Sequence, residues 1–150
     1  TVQSITTPYF SERAEDRHWF KQNLLLNQIR MLGLSIITAI VLYAIAYIMI
    51  PSFYGSTYQP VLIYLSILMI KYIIWSSYAI LAVAILGLGM VQYNLIAAVI
   101  NTVSGTILSY YLLQKSGILG VAWAQVIRAM ISFVLTVIFT RIVLKKAFNK

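Results

Sequence analysis

Four long apolar runs follow a polar N-terminal segment along the chain. They cover about residues 32–50, 60–86, 93–113 and 118–141. A helix needs about 20 apolar residues to cross the roughly 30 Å of hydrocarbon in a bilayer, and each run is long enough. The pattern therefore predicts an all-α membrane protein with four transmembrane helices.

Short segments with proline and glycine separate the runs and predict turns. Pro51 and Pro60 bracket Gly55 between the first two runs, so we expect no helix there. Residues 87–89 contain two glycines and predict the end of the second helix. Residues 114–117 form the last connection, in which Gly117 suits a left-handed helix cap.

The N-terminal segment is mixed in character. Over residues 16–31, Trp19, Phe20 and several leucines alternate with polar residues. Two interpretations stay open: a helix that lies along the cytoplasmic membrane interface, or a linker helix continuous with the first span. The predicted organisation is a cytoplasmic or interfacial linker (1–31), a four-helix transmembrane region (32–141) and a basic cytoplasmic tail (142–150).

Composition and charge exclude several functional classes. The chain is 61% hydrophobic and 9% charged, against about 25% charged in a soluble domain. Its net charge of +8 would favour nucleic acid in a soluble protein, but the apolar runs argue against that partner. Cysteine is absent, and the only acidic residues are Glu12, Glu15 and Asp16. We therefore expect no catalytic residues, no metal site and no cofactor, and predict that the protein is not an enzyme.

Basic residues predict the orientation in the membrane. They cluster before the first span and after the last one: Arg13, Arg17, Lys21 and Arg30, then Arg141, Lys145, Lys146 and Lys150. Cytoplasmic flanks carry such an excess, and four spans return the chain to its starting side. We expect a multi-pass protein of the bacterial cytoplasmic (inner) membrane with both ends cytoplasmic.

Small and weakly polar residues form a stripe on the third predicted span. At steps of three and four they share one helical face: Asn94, Ala98, Asn101, Gly105 and Ser109. The fourth span carries Gly120 and Ala124 at a similar spacing, followed by Arg128. Such stripes let helix backbones approach closely. Helix packing and the wall of a polar cavity both remain open as roles.

Lys71 and Arg128 are the two charges that lie deep within predicted spans. A charge at such a depth costs roughly 2.5–3.5 kcal/mol on insertion scales. Since the spans contain no acid, each cation must meet water, an amide such as Asn101 or Gln125, or an anionic ligand. These four residues are the candidate substrate-binding residues.

Two short motifs resemble bacterial polysaccharide flippases of the multidrug/oligosaccharidyl-lipid/polysaccharide exporter superfamily. Residues 53–58 (FYGSTY) resemble the family's "F-G-x-x-Y" turn, and residues 117–124 (GILGVAWA) resemble the "G-I-x-G-A-A-x-A" start of a late helix. Pro8 and the charged segment after it are similar to the family's linker. The chain would then be the end of a larger helical-bundle transporter, with its N-terminal helices lying before Thr1.

The resemblance also implies a function and partners. Family members move lipid-linked oligosaccharides, typically on polyprenyl pyrophosphate, between leaflets by alternating access. The implied partners are membrane lipids, that substrate and the protein's own N-terminal helices. In this family other helices line most of the central cleft, so the resemblance does not itself place Lys71 or Arg128 there. The alternatives are a drug/cation exporter of the same superfamily and a structural multi-pass membrane subunit.

Overall fold

The computed structural model describes residues 17–148, which are almost entirely helical. Helix α1 spans Arg17–Tyr54, α2 spans Val61–Gly87 and α3 spans Val91–Phe148, with a short 3-10 helix at Ser56–Tyr58 between α1 and α2. The described part contains three helices that are long and apolar enough to cross a membrane. The residues before 17 and after 148, which belong to the predicted linker and tail, lie outside the described range.

Helix α1 is continuous from the linker region into the first apolar run. Of the two interpretations of residues 17–31, the structure therefore has the helix that joins the first span directly. The predicted end at residue 50 is wrong, because α1 continues through Pro51 to Tyr54. Pro51 lacks an N–H and its ring crowds the carbonyl of Tyr47 four residues earlier, yet the helix continues for one more turn, in which the Pro51 carbonyl accepts from Gly55 N–H at 3.0 Å.

Helix α2 ends as its glycines predict. Gly89 has φ 72°, its N–H donates to the Leu86 carbonyl at 2.9 Å, and Met90 N–H donates to the Ile85 carbonyl at 3.2 Å. This pair of bonds is a Schellman motif, which satisfies carbonyls that the helix end leaves free. Pro60 precedes the first helical residue of α2 rather than occupying its first turn.

Helix α3 reverses direction at Gly117. The predicted connection at 114–117 is confined to Gly117, because helical structure continues to residue 116 and resumes at once. Gly117 has the expected positive φ (60°), but its ψ of −144° lies outside the left-handed helical region. Gly120 nevertheless packs against the Leu112 backbone, which a straight helix would place about 12 Å away along its axis. The N-terminal part of α3 (91–116) and its C-terminal part (118–148) thus run antiparallel.

Packing contacts define how the other segments run. The Ser76 hydroxyl donates to the Ser35 hydroxyl at 2.7 Å in a buried contact, which joins antiparallel α1 and α2. One cluster at the end of the bundle joins α1 and α2 through buried Phe20, Leu24, Ile80, Leu81, Val83 and Ala84. Leu144, from the C-terminal part of α3, packs against it. A second cluster joins Ile67 of α2 to Ala122 and Val126, so α2 and the C-terminal part of α3 run parallel.

Candidate functional site

A polar cavity of about 180 Å³ lies between α2 and the two parts of α3. Helix α2 contributes Lys71, Trp75 and Tyr78, and the N-terminal part of α3 contributes Asn101. The C-terminal part of α3 supplies the rest of the lining: Gln125, Arg128, Ala129 and Ser132. The structure therefore brings together all four residues that the sequence marks as candidates for substrate binding.

Arg128 is held in the cavity wall by two residues of the N-terminal part of α3. Its Nε donates a hydrogen bond to Asn101 Oδ1 at 3.2 Å. Its aliphatic stem fills the space beside Gly105, where a Cβ atom would come within 2.5 Å of Arg128 Cδ. Gly105 thus accommodates the side chain, and Asn101 orients the guanidinium.

The cavity carries two positive charges and no negative one. Residues 17–148 contain no Asp or Glu, so neither Lys71 nor Arg128 has an ion-pair partner among the described residues. Arg128 has five N–H donors, and the Asn101 contact uses only the one on Nε. Two cations and several unused donors therefore face the same space between three helical segments.

Ser132 contributes a buried hydroxyl to the cavity wall. It is 5% exposed, and its Oγ has no hydrogen-bond partner of good geometry among the described residues, although the Tyr78 hydroxyl approaches it. A buried hydroxyl without a partner costs about 1–3 kcal/mol. A ligand or water in the cavity would remove that cost.

Most of the small-residue stripe takes part in helix contacts. Asn94 Nδ2 donates to the Ala82 carbonyl at 2.8 Å, which ties the start of α3 to α2. Gly120 and Ala124 are buried on the C-terminal part of α3. Ser109 is half-buried, whereas Ala98 is exposed and lies outside the helix contact. The same helical face therefore serves packing at Gly105 and lines the cavity at Asn101.

Trp75 and Tyr78 also line the cavity, although no pattern in the sequence by itself marks them as candidates. They follow Lys71 by four and seven residues, the spacing of one helical face. That spacing was the available signal. Because aromatic residues are common in this chain, the spacing indicates a cavity wall only when it is counted from the charged residue Lys71.

An apolar groove of about 350 Å³ lies between α1 and α2. Its lining includes Ala39 and Tyr43 from α1, and Met69 and Ile73 from α2. It contains no charged side chain, unlike the polar cavity. The two spaces therefore differ in the chemistry that they can accept.

Comparison of the chain with protein-family models, with curated proteins and with solved structures finds no match. The family resemblance therefore depends on the short sequence motifs alone. The cavity is the stronger guide to function, because it follows from contacts within the chain itself.

Proposed function

We propose that the chain is the C-terminal part of a bacterial membrane transporter that flips lipid-linked oligosaccharide or polysaccharide precursors across the cytoplasmic membrane. The observation that carries this proposal is the cavity in which Lys71 and Arg128 lie together without an acidic partner. Keeping two such charges within apolar helices is costly, and intramembrane charges commonly mark a substrate or ion pathway.

The proposal includes four membrane crossings with both ends in the cytoplasm. Support comes from the reversal at Gly117, since the two parts of α3 are antiparallel and each exceeds the length of one span. The end predicted to be cytoplasmic also carries Lys146, whose Nζ donates to the Tyr93 hydroxyl at 2.7 Å. Tyr93 in turn packs against Phe139, with ring centroids 5.5 Å apart. Aromatic and basic residues of this kind are typical of a membrane interface.

The chemistry of the cavity favours an anionic substrate over the alternatives. A drug/cation exporter needs groups that attract cations, whereas Lys71 and Arg128 repel them. A purely structural subunit has no use for two charges that apolar residues could replace at lower cost. In the proposed transporter, the cavity holds a charged group of the substrate while the sugars lie between this bundle and the expected N-terminal helices. Alternating access then moves the site between the two faces.

Substitutions of Arg128 test the proposal in a strain whose surface polysaccharide depends on the full-length protein. Arg128→Ala should abolish export, because it removes both the charge and the planar donor fork. Arg128→Lys should export partially, since it keeps the charge alone. Arg141→Ala is the matched control, because Arg141 is exposed and lies 13 positions further along the same helix.

Surface polysaccharide is quantified together with protein abundance by immunoblot. Normal export by Arg128→Ala at normal abundance would show that the cation is only solvated within the bundle. Such a result would leave the structural subunit as the better interpretation. Loss of export in the Arg141→Ala control as well would remove the assignment of a specific role to Arg128.

A further inference from the structure

We propose that the polar cavity binds one phosphate group, as free inorganic phosphate or as the terminal phosphate of a lipid headgroup. This inference deepens the proposed function and rests on it for the biological role of the site. Binding itself is a property of the described residues, so it can be measured without transport.

The charge of the cavity matches that of a phosphate group. Lys71 and Arg128 together supply two positive charges, and a phosphate monoester carries roughly −1.5 to −2 at neutral pH. Occupation by phosphate would therefore leave the interior of the bundle close to neutral. Chloride would neutralise only one of the two cations.

The donors also suit a tetrahedral oxyanion. The Nε of Arg128 is engaged by Asn101, and the two terminal nitrogens have no hydrogen-bond partner among residues 17–148. These nitrogens can hold two phosphate oxygens, while Lys71 supplies a compact charge from the facing helix α2. Ser132 adds a buried hydroxyl without a partner of good geometry.

The size of the cavity limits the ligand to a small group. Its volume of about 180 Å³ is several times the ~30 Å³ that one water occupies in the liquid. Pockets for drug-sized molecules run from about 300 to 1,000 Å³. The cavity therefore has room for a phosphate group with a few waters, and a larger ligand would extend out of it.

Calorimetric titration of the purified full-length protein with inorganic phosphate, in phosphate-free detergent solution, measures binding directly. We expect saturable binding of one phosphate per chain that chloride does not displace. Arg128→Gln and Lys71→Gln should each weaken binding by about tenfold or more, since each removes a charged donor. Lys145→Gln and Arg141→Gln, at exposed positions, should bind like the unchanged chain.

Asn101→Asp separates binding from folding. The new carboxylate would lie beside Arg128 Nε and pair with the guanidinium, so the bundle should become no less stable while phosphate binding falls at least about tenfold. Unchanged phosphate affinity in this variant, in a chain that remains folded by circular dichroism, would overturn the proposal.

A second arm of the experiment identifies the source of the phosphate. Phosphatidic acid, with a terminal phosphate, is compared with phosphatidylcholine in mixed micelles. Displacement of inorganic phosphate by phosphatidic acid but not by phosphatidylcholine indicates a lipid headgroup, and no displacement by either indicates free phosphate. Failure of both inorganic phosphate and phosphatidic acid to bind, or equal binding of chloride, would reject the site. Loss of export in Arg128→Ala together with no phosphate binding would reject this inference alone, whereas normal export together with phosphate binding would reject the proposed function alone.

Discussion

Arg128 is positioned by two residues of the N-terminal part of α3. Asn101 provides an amide oxygen, and Gly105 has no side chain and so leaves space. Asn101 accepts from Arg128 Nε, and Gly105 leaves room for the Arg128 stem. The spacing of four residues between Asn101 and Gly105 places both on one face, so a single helix supplies the hydrogen bond and the space. Two residues thus fix a half-buried cation between apolar helical segments.

Substitution of Gly105 should expel that side chain. Gly105→Leu is expected to destabilise the chain by about 1–3 kcal/mol, because the new side chain overlaps Arg128. Ala98→Leu on the same stripe is the matched control and should be tolerated, since Ala98 is exposed. Denaturant titration in detergent, followed by circular dichroism, compares the two. Equal stability of both variants would contradict the contact at Gly105.

At the scale of residues, the sequence predicted some of the side chains that line the cavity but not all of them. The rule that buried charges need partners selected Lys71 and Arg128 and suggested Asn101 and Gln125, and all four line the space. Trp75 was not predicted, because helical spacing shows that it shares a face with Lys71 but not which helix packs against that face. The approach of α2 to both parts of α3 is tertiary information that local patterns do not contain.

At the scale of elements, the glycines decide where the helices stop and the prolines do not. Gly89 closes α2 with a positive φ, and Gly117 turns α3 back on itself. Pro51, by contrast, is absorbed into the last turn of α1. A proline near the end of a helix still removes the bond to the carbonyl four residues earlier, here that of Tyr47, and its ring crowds that carbonyl, but this does not prevent one further turn of helix.

Gly117 should be intolerant of any side chain. Its backbone (φ 60°, ψ −144°) lies close to a region that is almost exclusive to glycine, so Gly117→Ala should destabilise the chain by about 1–3 kcal/mol. Gly33→Ala is the control, because Gly33 lies within α1 with open space around it and should gain about 0.5–1 kcal/mol in helix stability. Thermal unfolding of the two purified variants measures the difference. A Gly117→Ala chain as stable as the Gly33→Ala chain would mean that the reversal at residue 117 is not strained.

In the whole molecule, successive helical segments alternate in direction along the chain. Helices α1 and α2 are antiparallel, and the C-terminal part of α3 is parallel to α2. The four apolar runs coincide with helical segments of the structure, because each run is long enough to form a helix. They did not anticipate that residues 17–31 would join the bundle through Phe20 and Leu24, since a mixed polar pattern fits an interface or a packed helix end equally well.

The proposed topology makes a direct prediction for accessibility. These 150 residues contain no cysteine, so each single substitution adds the only thiol within them. Ser56→Cys and Ser116→Cys, both exposed, should react with a membrane-impermeant maleimide added outside intact cells. Ala147→Cys should react only after the membrane is opened. Labelling of Ala147→Cys from outside would overturn the orientation.

The unbroken course of α1 has a mechanical consequence. Its 38 residues make a rod about 57 Å long, nearly twice the hydrocarbon thickness of about 30 Å. One end is anchored by Phe20 and Leu24 against α2, and the described part contains no turn before Gly55. A push on the chain near residue 17 therefore cannot be absorbed by a hinge within α1. It tilts the rod as a lever and moves the connection to α2 at the other end of α1.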